Sequence, residues 1–100
     1  MFGAMSDPFR LPDTASVVTL TRALVAVPSR GGVDAYEQIV VVLREWLAAR
    51  GLPSSVLTGA GGSVVAVVCE VAGEHPGPHY VLDACLDTAP FGDESAWRHP

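Results

Sequence analysis

The sequence predicts an α/β fold, with two N-terminal helices followed by three strands and the helices covering the sheet. Three observations carry this. Apolar residues recur at spacings of three and four through the first half. After Pro53 the pattern shortens to that of a strand. Loops containing Gly and Pro fall where the period changes.

Residues 1–12 hold Gly3, Pro8 and Pro12 without periodicity and predict a mobile tail ahead of a domain spanning 13–100. Asp13 and Thr14 offer capping oxygens to a first helix. Val17, Leu20, Leu24 and Val27 line one face of it, and Pro28 stops it. Ser29-Arg30-Gly31-Gly32 is a turn. The second helix, about 34 to 50, is the best-marked element. Asp34 is placed to cap it and Glu37 to complete a capping box. Its buried stripe is Tyr36, Ile39, Val40, Leu43 and Leu47, widened by Val42 and Trp46. Gly51 suits a left-handed cap, and Pro53 the exit.

Ser54–Thr58 predicts a short strand and Gly59–Gly62 a turn. Ser63–Val71 is nearly continuous in β-branched residues, as a strand covered on both faces would be. The two suit a hairpin. After a loop with Pro76 and Pro78, His79–Leu86 predicts a third strand. On it Tyr80, Leu82, Ala84 and Leu86 share one face, and His79, Val81, Asp83, Cys85 and Asp87 the other. Thr88–Pro100 is irregular.

One hundred residues make one small domain or part of a larger one, and a net charge of −5 with six scattered Arg and no Lys argues against nucleic-acid binding. The longest apolar runs are too short to cross a bilayer, and no signal peptide is visible. Two cysteines do not make a disulfide framework. A soluble, reducing, cytoplasmic setting is expected, and the Ala/Val/Gly/Arg-rich composition suggests a bacterial source.

Cys85 and Asp87 are the first candidate site. Side chains two apart on a strand lie roughly 6.5–7 Å from each other, so a thiol and a carboxylate stand together at a strand end. The pair reads either as a buried Cys with a chain-turning Asp, or as a metal thiolate with a nearby carboxylate. Two residues cannot close a zinc site, which takes at least three protein ligands. His75, His79 and His99 show no ligand spacing and read as surface residues. Asp83 reads as exposed, Trp97 as a core anchor, and Gly59–Gly62 as a hairpin turn rather than a phosphate loop, since no Lys-Ser/Thr ending follows.

Several stretches then share one resemblance. They are Leu24-Val25-Ala26-Val27-Pro28-Ser29, Trp46-Leu47 with Gly51, Val64-Val65-Ala66-Val67, Gly77-Pro78, and Ala84-Cys85-Leu86-Asp87-Thr88-Ala89-Pro90 with Gly92-Asp93, Trp97 and His99-Pro100. In order and spacing, from about residue 16 onward, they resemble the start of the zinc-dependent aminoacylase/carboxypeptidase metallopeptidase family. That family includes acetylornithine deacetylase, succinyl-diaminopimelate desuccinylase, glutamate carboxypeptidase and dipeptidases. Its signature reads G-H-x-D-T-V-P. The resemblance implies a zinc-exopeptidase-like mixed sheet, incomplete as given, and residues 13–100 as the N-terminal part of a catalytic domain. It implies hydrolysis of the amide of N-acyl amino acids or small peptides at two Zn2+ ions, with room for a homodimer in full-length relatives.

Carried over residue by residue, Cys85 stands where the family has a zinc-binding His, and Asp87 where it has the acid that orients that His. A thiolate can bind zinc but offers no ring N–H to Asp87, and its negative charge makes a metal-bound water less acidic. The family's bridging Asp, paired Glu and later ligands match nothing in these 100 residues. The expectation is therefore the opening portion of a metallohydrolase, catalytically incomplete as it stands. The alternatives are a non-catalytic remnant or interaction module of the same family, and a small α/β binding domain whose Cys and Asp are structural.

Overall fold

The computed structural model describes residues 13–90 and 92–98; the predicted tail, 1–12, lies outside them, as does His99. Among the described residues the elements are α1 (Thr14–Val25), α2 (Glu37–Ala48), β1 (Ser54–Thr58) and β2 (Val64–Cys69), with a 3-10 turn at Glu94–Ala96. The fold is a small mixed α/β arrangement of two helices and a two-stranded antiparallel sheet.

Helix α1 begins as its sequence dictates. The Asp13 carboxylate accepts from Ser16 N at 3.0 Å and from Ser16 Oγ at 2.6 Å, satisfying amide hydrogens that a helix start leaves unpaired. Helix α2 begins differently from expectation. Its cap is Tyr36, which makes no side-chain capping bond, and Glu37 is the first helical residue. Asp34 is held instead by Arg30, through bonds from Arg30 N, Nε and Nη2 of 2.9, 2.8 and 3.0 Å. A two-pronged guanidinium–carboxylate pair out-competes a single amide for the same oxygens. The end of α2 follows expectation. Gly51 takes φ 71°, Gly51 N donates to Ala48 O and Leu52 N to Leu47 O, each at 3.0 Å. These are the paired bonds of a Schellman cap.

The hairpin pairs Ser54 with Cys69 through Leu57 with Ala66, and an extra residue, Val65, shifts the register before Thr58 meets Val64. Arg44 ties α2 to this sheet, donating from Nε to Ser54 Oγ at 3.0 Å and from Nη2 to Ser54 O at 2.9 Å. Both helices contribute to one face: Val27, Ile39 and Val40 are buried, with Leu24, Tyr36, Val42, Val56, Val64, Val67 and Leu86 packed around them. The other face of β2 is not covered, and Val65 is 64% exposed. The expectation of a strand buried on both faces is thus corrected, because the described helices cover one side only.

The third strand is also corrected. Residues 79–86 form no strand, and among the described residues no backbone hydrogen bond engages 70–86. Tyr80, Val81 and Leu82 are 85%, 88% and 98% exposed. An extended apolar segment becomes a strand only when an edge pairs with it, and this one lies against neither β1 nor β2.

Candidate functional site

Both candidate residues sit where the 70–86 segment returns to the body of the fold. Leu86 is half-buried against the core, which leaves its neighbours Cys85 and Asp87 on the outside, both exposed. Thr88 then forms a parallel bridge with Arg30. Thr88 N donates to Ser29 O and Gly31 N to Thr88 O, each at 3.0 Å. The turn after α1 and the acidic loop, far apart in sequence, are joined here.

The turn itself is rigidly built. Val33 N and Asp34 N both donate to Arg30 O at 3.1 Å, while the Arg30 side chain grips Asp34. The guanidinium bonds hold the Asp34 carboxyl down to about 2. The same bonds raise Arg30, and the charge of Glu94 adds to this from across the junction. Beyond Gly92, the Asp93 carboxylate accepts from Ser95 Oγ at 2.7 Å and Ser95 N at 2.9 Å, which lowers its pKa. Ser29 is fully buried, and its Oγ has no hydrogen-bond partner among the described residues.

Of the sequence-predicted residues, Asp87 lands beside this turn, with Oδ2 where a methyl group on Gly31 would be 2.9 Å away. Cys85 is an exposed free thiol, so the expectation of a buried structural Cys is not met. Asp83, His75 and His79 are exposed on the unpaired segment. Trp97 is 52% exposed rather than a core anchor. Gly59–Gly62 is the hairpin turn, closed by Gly59 N donating to Ser63 O at 2.8 Å.

Sequence reasoning missed Arg30, Asp34 and Gly31 as parts of this junction. The Arg–Asp spacing of four was visible, but the element it would join was not. A separate groove of about 340 Å³ between α1 and α2 is lined by Val17, Leu20, Leu24 and Trp46. Arg50 stacks on Trp46 there, 3.7 Å from the ring centre.

Among the described residues no three or more His, Cys, Asp and Glu gather in a way that could hold a metal ion. Cys85 and Asp87 supply two donors, and a zinc centre takes at least three protein ligands. The described residues therefore do not close such a centre by themselves. Among them, too, no helix is long and apolar enough to cross a membrane. Compared with protein-family models, with curated proteins and with solved structures, the chain matches none.

Proposed function

We propose that this chain belongs to a metal-dependent amide hydrolase of the aminoacylase/carboxypeptidase kind. Its substrates would be N-acyl amino acids or small peptides. Cys85 is the candidate metal ligand and Asp87 the carboxylate beside it. The observation that supports the reading is the Arg30–Thr88 bridge. It brings together the Val27-Pro28-Ser29 turn and the Asp87-Thr88 stretch, two of the places where the sequence resembles that family. A reducing, cytoplasmic setting belongs to the same proposal, supported by two free thiols, as does a bacterial source, suggested by the Arg-containing, Lys-free composition. Small-molecule substrates rather than nucleic acid suit a net charge of −5. A zinc ion held partly by Cys85 requires donors beyond the described residues.

A second reading, a non-catalytic remnant or interaction module of the same family, is favoured by one fact: Cys85 is exposed, and among the described residues no cluster of three donors forms around it. Zinc titration of the full chain separates the two. Stoichiometric uptake that is lost in Cys85→Ser supports the hydrolase reading. No uptake, or uptake indifferent to Cys85, supports the module.

A further inference from the structure

Asp87 lies over Gly31. A methyl group built on that glycine would meet Asp87 Oδ2 at 2.9 Å and the Tyr36 hydroxyl at 3.8 Å. The backbone does not ask for glycine there. Left-handed φ values belong to Gly32, Gly51, Gly62 and Gly92, and Gly31 is not one of them. What Gly31 supplies is room. The backbone on both sides of that room is fixed, by Gly31 N donating to Thr88 O and by Thr88 N donating to Ser29 O. The Arg30–Asp34 pair braces the turn beneath it.

We infer that Gly31 is a positioning residue for Asp87: its missing side chain is the seat in which the carboxylate rests. An exposed Asp otherwise samples several rotamers, and a shaped contact on one side removes some of them. The use of a carboxylate held in one place, two residues from Cys85, rests on the hydrolase reading. The seat itself rests only on the geometry.

The test is a mutant cycle on the full chain, with 13C-labelled Asp followed by NMR at pH 7 and urea midpoints measured alongside. Gly31→Ala is expected to shift the Asp87 carboxyl resonance and the Thr88 amide. Because the Asp87 carboxylate is the far end of a side chain that can swing aside, the midpoint change itself is expected to be small, but Gly31→Ala should be less favourable in the presence of Asp87 than in the Asp87→Ala background, where the added methyl group meets no carboxylate and stiffens the unfolded chain. Gly32→Ala is the control. It strains a backbone at φ 75° with open space around it, and should lower the midpoint while leaving the Asp87 carboxyl resonance unmoved. An unmoved Asp87 resonance in Gly31→Ala overturns the inference. So does a midpoint change on Gly31→Ala that is the same with and without Asp87. If Gly31→Ala does not fold, folding of the double variant upholds the seat and its failure to fold overturns it. Zinc uptake is scored separately: its absence from the wild type removes the hydrolase reading and leaves the seat standing.

Discussion

Arg30 grips both carboxylate oxygens of Asp34, at 2.8 and 3.0 Å, while the peptide that follows it donates to Thr88 O. One residue thus closes the turn after α1 and lies at its junction with the acidic loop. The pair fixes a pH dependence. Asp34 falls from 3.8 to about 2 on folding. A carboxylate lowered by folding stabilises the fold above its unfolded pKa, and that contribution fades as pH falls from 3.8 through about 2. Asp34→Asn should therefore lower the urea midpoint at pH 7, and the difference from wild type should shrink on acidification through this range. Urea titrations at successive pH values check it, and a constant difference down to pH 2 counts against the pair.

The Ser29 hydroxyl is the clearest unmet polar group near the junction. Leaving a buried hydroxyl without a partner costs about 1–3 kcal/mol, whereas an apolar replacement is neutral or stabilising. Ser29→Ala should then hold or raise stability, by up to about 1 kcal/mol. Equilibrium urea unfolding measures this. A loss of that size would mean that the hydroxyl is bonded in solution.

Ile39 is 1% exposed and sits in a core that, among the described residues, holds three buried apolar side chains. Ile→Ala at such a site costs about 2–5 kcal/mol, against a total of about 5–15 kcal/mol for an ordinary domain. Ile39→Ala should therefore lower the urea midpoint of both helices together by a large fraction of the stability. Urea unfolding followed by far-UV circular dichroism at 25 °C would show this, and an unchanged midpoint would place the main core elsewhere.

The apolar run Tyr80-Val81-Leu82 is exposed and pairs with no strand among the described residues. Exposed extended apolar segments associate with one another. The chain should self-associate with rising concentration, and Leu82→Lys should reduce this without changing the circular dichroism of the helices. Sedimentation velocity distinguishes the outcomes. A monodisperse wild type unaffected by Leu82→Lys would show the segment to be covered.

What was legible in the sequence was what is decided locally. Asp13 caps α1 through a residue three positions away, Gly51 ends α2 through its own φ, and the glycines of 59–62 turn the hairpin between two β-branched runs. The illegible parts depend on residues far apart in the chain. His79–Leu86 has strand composition, yet it pairs with neither outer edge of the β1–β2 hairpin, and composition alone does not decide whether an extended segment reaches an edge. Asp34 has the chemistry of a helix cap, and only the folded turn shows that Arg30 claims it. Gly31 reads as a turn glycine, while its contact is with Asp87. For the candidate site, the sequence pointed to Asp87 and Cys85 but not to the turn that Asp87 and Thr88 meet.

The proposed function and the Asp87 seat both depend on the meeting of the Ser29–Gly31 turn with Thr88, where two of the stretches that resemble the hydrolase family converge. Residue-resolved amide hydrogen exchange measures it most directly. Protection at Gly31 and Thr88, with amides from 71 to 85 exchanging at the rate of an open chain, is the predicted result. Unprotected Gly31 and Thr88 amides alongside protected α1 and α2 would show that the junction does not form, and both the proposed function and the Asp87 seat would lose their structural basis.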